Sequence, residues 1–211
     1  MRNSIFVFVA MIGLVACKPD VDIKLSTSDL IQVASTETPM LLEFDARIED
    51  KYTKIDAEKK SEVEAIAGII AKYFEDVEID VTYGGSGFEI EIEGELELVA
   101  TGTSTRSPWY FQVLDAGEGE YLVSQKRSDV WNKFAEELKA VSFMARPDEF
   151  LPLNIKLKND GGTLYVGGAI LDGKHLSGFE RVELSGTRVT LSFEGNHWKK
   201  ASASFLFVQP K

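Results

Sequence analysis

The sequence has few of the residues that most often build catalytic and metal sites. Among its 211 residues there is one cysteine, Cys17, and there are two histidines, His175 and His197. A single thiol excludes a disulfide within the chain and a zinc site with several cysteine ligands. Two histidines in separate polar stretches supply an acid–base or metal site poorly. The sequence therefore gives no reason to expect a metal or another cofactor.

Positive charge is also scarce. The chain has 23 Lys and Arg residues against 34 Asp and Glu residues, which gives a net charge of −11. This balance excludes nucleic-acid binding through general electrostatics. Residues 43–97 hold 17 acidic and 6 basic side chains, whereas residues 98–211 hold 13 and 14. We therefore expect an acidic surface that belongs to the first half and faces away from anionic lipid head groups.

The only long apolar run lies at the start of the chain. Residues 5–16 carry no charge and follow Arg2. Twelve residues are too few for a helix that spans a bilayer, which needs about 20. A positive start followed by a short apolar run is typical of an export signal, so residues 1–16 are predicted to be a signal peptide.

The end of this run is Leu14-Val15-Ala16-Cys17, which resembles the lipobox of bacterial lipoproteins. The resemblance implies cleavage before Cys17 and acyl groups such as palmitate on that cysteine, which hold the chain at the lipid bilayer. Residues 17–20 then form a short tether. In a Gram-negative host, Lys18 after the cysteine favours the outer membrane, on its periplasmic side. The resemblance to small envelope lipoproteins covers residues 1–20 and identifies no family for the rest of the chain.

Residues 21–211 are predicted to form an α+β globular region. Apolar residues recur at helical spacing in residues 56–74, with Asp56 as N-cap, and again after Ser128 up to residue 141. Most other segments alternate with a period of two, which predicts a mainly antiparallel sheet with two amphipathic helices. A strand, a helix and a hairpin in each of residues 21–104 and 105–211 suggest two similar halves.

Five glutamates alternate with apolar residues in the second strand of the predicted hairpin. They share one face of that strand and are predicted to be either a solvated outer face or a docking surface for a basic protein partner. The pattern lacks the Asp-rich loop of a calcium site. The five are Glu89, Glu91, Glu93, Glu95 and Glu97.

Other motifs favour structural interpretations. Asp172, His175 and Ser177 fall in one loop, but three residues so close in sequence rarely align as a catalytic triad. Residues 84–87 are rich in glycine, yet they lead into a strand and lack the Lys-Ser/Thr pair of a phosphate-binding loop. We interpret that segment as a hairpin turn. Consecutive aromatic residues at 109–111 point to both faces of a strand, so at least one belongs to the core.

Three functions remain open on the sequence alone. The first is a non-catalytic envelope lipoprotein that binds a partner at the membrane surface, and is not an enzyme. The second is a lipoprotein that carries a lipid or another hydrophobic molecule in an apolar cavity. The third is an envelope hydrolase that uses a pair of carboxylates. An enclosed apolar cavity, two facing carboxylates in a cleft, or a filled core with an acidic face would separate the three.

Overall fold

In a computed structural model of the chain, the described residues are 20–51, 54–85, 87–142, 153–158, 162–167, 169–171, 173–176, 180–183, 188–193 and 204–209. They form a mixed α/β fold in which helices pack on a curled, strand-rich sheet. The helices are α1 (Thr27–Thr36), α2 (Ala57–Tyr73) and α3 (Trp131–Val141). The strands are β1 (Asp20–Ser26), β2 (Met40–Asp50), β3 (Glu78–Gly84), β4 (Gly87–Ala100), β5 (Trp109–Gly117), β6 (Glu120–Arg127), β7 (Leu153–Lys158), β8 (Thr163–Val166), β9 (Ile170–Leu171), β10 (Lys174–His175), β11 (Glu180–Glu183), β12 (Arg188–Phe193) and β13 (Ser204–Val208).

The helices begin where side chains can cap their free amide groups. Asp56 accepts a hydrogen bond from the Lys59 amide at 2.9 Å, which confirms it as the N-cap of α2. Ser26 caps α1 in the same way and completes a capping box with Asp29. The prediction that Ser128 begins α3 was wrong. Its hydroxyl accepts from the Val130 amide at 3.3 Å and its carbonyl accepts from the amide of Trp131, so it forms a turn before the helix.

The described strands form one sheet with the order β10-β9-β12-β7-β1-β2-β4-β5-β6-β13-β8-β11. Strand β3 pairs with the part of β4 that β5 leaves unpaired. All described pairings are antiparallel except β1 with β7 and β4 with β5. Strand β4 is the longest, and β2 pairs with it from residue 88 to residue 98. The predicted, mostly antiparallel sheet is therefore present, with two parallel junctions added.

One face of the sheet, called the inner face, packs on the helices. Its buried side chains include Ile23, Ile90 and Phe111, and they join Leu30 of α1 and Val63 of α2 in one continuous apolar cluster. The opposite face, called the outer face, carries the alternate residues of the same strands. Side chains of a strand alternate between its two faces, so the position of a residue along its strand shows which face it lies on. The charged residues of β1, β2, β3, β4, β7 and β12 are assigned to a face on this basis.

The two predicted halves do not share a pairing pattern. In the first half, β3 and β4 form a hairpin, as predicted. In the second half, β7 pairs with β1 and β12, whereas β8 pairs with β11 and β13. The two strands that would form the second hairpin are thus separated in the sheet, and the proposed similarity of residues 21–104 to residues 105–211 is not confirmed.

Candidate functional site

The five glutamates of β4 lie together on the outer face. The residues between them, Ile90, Ile92, Leu96 and Leu98, are at most 4% exposed and belong to the core. The glutamates themselves are partly or fully exposed. The strand is thus amphipathic from Glu89 to Glu97, where its sequence alternates, whereas both faces are buried at Leu98 and Val99. We call the outer face of β2, β3 and β4 the acidic face.

Neighbouring strands extend the acidic face sideways. Glu93 lies directly opposite Glu78 of β3 on one side and directly opposite Asp45 of β2 on the other. Glu95 faces Glu43 in the same way. Side chains directly opposite each other in a sheet lie about 5 Å apart, so like charges in these positions destabilise the pairing. Rows of carboxylates therefore cross these strands, and among the described residues a cation reaches them only from β1, where Lys24 lies 2.7 Å from Glu43 and 3.9 Å from Asp45.

A few cations neutralise the margins of the acidic face. Lys24 of β1 donates to Glu43 at 2.7 Å, which lowers the pKa of that carboxyl below its usual value. Arg47 of β2 forms an ion pair with Glu89, and its hydrogen bond lowers the pKa of Glu89. Lys51 lies 3.0 Å from Glu49. These pairs lie at the β1 side and at the hairpin end of the face.

Along β4, the first and last of the five glutamates differ from the three between them. The carboxylate of Glu97 accepts hydrogen bonds from the backbone amides of Arg106 and Ser107, at 2.9 and 3.2 Å, so it fastens the loop between β4 and β5. Glu91, Glu93 and Glu95 have no ion-pair partner within 4 Å among the residues that the structure describes. The centre of the acidic face therefore holds more carboxylates than cations, although Arg47 lies opposite Glu91.

This arrangement suits a multiply charged basic ligand better than a single metal ion. No group of three or more His, Cys, Asp or Glu side chains in the described ranges is placed to hold a metal. The five glutamates of β4 instead follow one another along the strand, about 6.6 Å apart. Such spacing matches a run of lysine or arginine side chains on an extended peptide, which repeat at a similar interval.

An open cleft of about 340 Å³ lies at the hairpin end of the acidic face. It is lined by Glu49, Asp50 and Glu89 and by the glycines of the turn between β3 and β4. Gly87 is required there, because a Cβ at this position would lie 1.9 Å from the carbonyl oxygen of Asp50. The glycine-rich turn thus closes a hairpin, as predicted, and its acidic lining is unsuited to phosphate.

Most of the other predicted site residues lie outside the part of the chain that the structure describes. His175 is exposed on β10, whereas Asp172, Ser177 and His197 lie outside the described residues, as do residues 1–16 and Cys17. Trp109 and Phe111 are buried, and Tyr110 lies on the outer face, as the alternation of that strand requires. Within the described ranges, no helix combines the length and the apolar character that a bilayer crossing demands.

A second charged site on the outer face was not predicted. Lys24, Lys156, Lys158 and Arg188 line an open cleft of about 670 Å³ on β1, β7 and β12. The alternation of Lys156 and Lys158 with Ile155 and Leu157 places both lysines on one face and was visible in the sequence. The pairing of β7 with β1 and β12, which brings in the other two cations, was not.

The comparisons with known proteins identify no relative: no protein family, curated protein or solved structure matches the chain. Function is therefore argued from the geometry of the outer face. Its strands present an acidic face on β2, β3 and β4 and a basic cleft on β1, β7 and β12. Both are built on rigid, hydrogen-bonded strands.

Proposed function

We propose that the protein is a lipoprotein of the bacterial cell envelope, anchored through acylated Cys17, that binds a basic segment of a partner protein on its acidic face. The row formed by Glu78, Glu93 and Asp45 carries this proposal. Three carboxylates side by side weaken the sheet, and a solvated surface would be served equally well by neutral polar residues. A cationic partner gives the row a favourable role.

The proposed anchor is close in sequence to the first strand, and this strand borders the acidic face. Strand β1 starts at Asp20, so only residues 18 and 19 separate it from Cys17, a reach of roughly 10 Å. Asp20 lies opposite Arg47, and Arg47 lies opposite Glu91. One strand spacing, about 5 Å, therefore separates the first residue of β1 from the acidic face on β2. Because anionic head groups repel carboxylates, we propose that this face is turned away from the bilayer.

The geometry supports binding better than carriage of a hydrophobic molecule. A carrier needs an apolar cavity, but the inner face of the described sheet is filled by large side chains such as Phe111, Phe193 and Phe205, each at most 2% exposed. Aromatic contacts such as Phe74 with Phe134, at 5.9 Å between ring centres, close the helix side of the same core. The inner face of the described sheet is thus covered by the protein's own side chains.

A carboxylate hydrolase has one observation in its favour, namely the three acidic residues in the 340 Å³ cleft. Hydrolysis of this kind needs one carboxyl group that stays protonated near neutral pH, with a raised pKa. The ion pair with Arg47 instead lowers the pKa of Glu89 and keeps it charged. This cleft therefore supports cation binding rather than acid catalysis.

Two measurements test the proposal. For the anchor, cells that express the full chain are fed labelled palmitate and fractionated. We expect label and membrane association for the natural chain and neither for Cys17→Ala. A natural chain without label would overturn the anchor.

For the acidic face, the triple variant E91Q/E93Q/E95Q is compared with E58Q/E64Q/E136Q, which makes the same charge change on exposed helix positions. Each is titrated with a decalysine peptide at several salt concentrations, and cross-linked partners are captured from membranes. We expect the first variant to weaken peptide binding at least 10-fold and to lose the captured partner, with the control close to the natural protein. Equal loss in both variants would remove the acidic face from the mechanism.

A further inference from the structure

The 670 Å³ cleft on β1, β7 and β12 is lined by more cationic than acidic side chains. Its lining includes four cationic and two acidic side chains, a local charge of +2 in a chain of net charge −11. A local excess of positive charge on so acidic a protein attracts anions to that spot alone. It also lies on a different set of strands from the centre of the acidic face.

The four cations form two adjacent rows on the outer face. Lys24 of β1 pairs with Lys156 of β7, and two residues further along β7, Lys158 lies directly opposite Arg188 of β12. Paired side chains lie about 5 Å apart and the two rows about 7 Å apart. The four cations are therefore neighbours on one face and form a staggered line across β1, β7 and β12.

The two rows differ in how their charge is balanced. Lys24 is held by Glu43 at 2.7 Å, and Lys156 donates to Asp22 at 2.5 Å. Lys158 and Arg188 form no ion pair with any residue that the structure describes, and both are exposed. Two like charges directly opposite each other destabilise a strand pair. An anion between them would convert this repulsion into a favourable contact.

The rest of the cleft adds two features. The N-terminus of α1 begins at its edge, where Ser26 pairs with Lys158 across β1 and β7. The positive end of the helix dipole therefore adds to the field, although the Asp29 carboxylate that caps the helix offsets part of it. Leu41, which is 54% exposed on the outer face, supplies an apolar side wall.

We propose that this cleft binds a phosphate group, with the guanidinium of Arg188 and the ammonium of Lys158 on its oxygens. A phosphate monoester carries close to two negative charges at neutral pH, which suits two neighbouring cations that have no ion-pair partner among the described residues, and its oxygens suit the planar donor fork of arginine. The apolar wall accommodates a carbon skeleton next to the phosphate. The same chemistry is offered by a soluble phosphate ester and by a phospholipid head group.

The test uses the full chain with Cys17→Ser, so that acyl groups cannot drive membrane binding, and compares three forms. The first has no other change, the second is K158Q/R188Q, and the third is K54Q/R106Q, which removes two exposed cations outside the cleft. Affinity for inorganic phosphate and glycerol phosphate is measured by titration at constant ionic strength. Flotation with phosphatidylglycerol vesicles, against phosphatidylcholine vesicles, tests the head group.

We expect saturable binding that falls at least 10-fold in K158Q/R188Q, less than 2-fold in K54Q/R106Q, and returns in K158R/R188K. Binding of the soluble phosphates identifies a soluble ester as the ligand, and binding of phosphatidylglycerol vesicles alone identifies a head group. Thermal melting shows that each form is folded. Equal affinity in the first two forms, or no binding of either probe by the first, would overturn the proposal.

Discussion

Lys72 of α2 donates to both carboxylate oxygens of Glu137 on α3, at 2.8 and 2.7 Å. The Tyr73 hydroxyl donates to the same carboxylate at 2.9 Å. These bonds join two helices that lie 65 residues apart in the chain. Behind them, the rings of Tyr73 and Phe134 meet edge to face at 5.3 Å. The contact between α2 and α3 thus combines an apolar interior with a charged rim.

Glu137→Gln is expected to reduce stability at neutral pH and to have no effect in acid. The hydrogen bond from Lys72 lowers the pKa of Glu137 below its ordinary value of 4.5. A lowered pKa means that the stabilisation is complete above pH 4.5 and is lost as the pH falls through the folded-state value. Urea denaturation at pH 7 and pH 3 measures this.

The matched control for this prediction is Glu136→Gln, because Glu136 is exposed on the same helix and makes the same charge change. Its difference from the natural protein should depend only weakly on pH. A Glu137→Gln deficit that persisted undiminished at pH 3 would mean that packing, and not the ion pair, causes the loss.

The sequence predicts those parts of the fold that are determined by neighbouring residues. The periodicity of α2 and its Asp56 cap are local, and the structure has both. Strand β13, which is apolar on both faces, lies between β6 and β8. Its inner residues, such as Phe205, enter the core. Leu206 instead lies on the outer face, in register with Leu122 and, one strand further, with Leu114.

Pairings between distant segments could not be predicted. Strands β1 and β7 are more than 120 residues apart and run parallel, which no hairpin signal announces. The basic cleft depends on this pairing, because it places Lys24 next to Lys156. The row of Glu78, Glu93 and Asp45 also depends on strand pairing. Alternation along β4 predicted that its glutamates share a face, but only the pairing with β2 and β3 places Asp45 and Glu78 next to Glu93. Local patterns therefore identified the chemistry of one strand, and the sheet register determined the sites.

Gly94→Ala is expected to destabilise the protein by about 1–3 kcal/mol through overpacking. Gly94 lies opposite Phe44, and an added Cβ would lie 2.9 Å from that ring and 3.3 Å from Val77. The Phe44 ring cannot move away easily, because it packs on Phe74 and Trp109 with ring centres 5.6 and 6.3 Å apart. Urea denaturation gives the free energy of unfolding.

Gly68→Ala is expected to have the opposite effect on the free energy of unfolding. Gly68 is exposed in the middle of α2, and nothing lies within 4 Å of an added Cβ. Alanine in a helix interior is favoured over glycine by up to about 1 kcal/mol, so this variant should be more stable than the natural protein. Equal effects of the two alanine substitutions would contradict the packing that the structure gives around Gly94.

Gln125→Met should stabilise the protein by about 1–2 kcal/mol. Gln125 is 2% exposed on the inner face of β6, and its amide has no hydrogen-bond partner among the described residues. A buried polar group without a partner costs about 1–3 kcal/mol, and methionine has a similar length without that cost. Gln112→Met on the outer face of β5 is the control and should change stability by less than about 0.5 kcal/mol. A loss of stability in Gln125→Met would show that the amide is bonded in the folded protein.

Glu93→Gln and Glu97→Gln should change stability in opposite directions, although both remove one charge from the same face of β4. Glu93 lies between two carboxylates, so its neutralisation relieves repulsion and should raise stability by a few tenths of a kcal/mol. Glu97 accepts two backbone hydrogen bonds, and a neutral amide oxygen accepts them less strongly, so its replacement should lower stability. Thermal melting in low salt measures both changes.

A high salt concentration distinguishes charge repulsion, the cause expected for Glu93→Gln, from hydrogen bonding, the cause expected for Glu97→Gln. The gain from Glu93→Gln should shrink in 1 M NaCl, where charges are screened beyond about 3 Å, while most of the loss from Glu97→Gln should remain. If the more stable Glu93→Gln also bound decalysine less well, the carboxylate row would carry a binding function at the expense of stability. A less stable Glu93→Gln would mean that the repulsion expected from the register is already compensated in the folded protein, and the row would lose its argument for a partner.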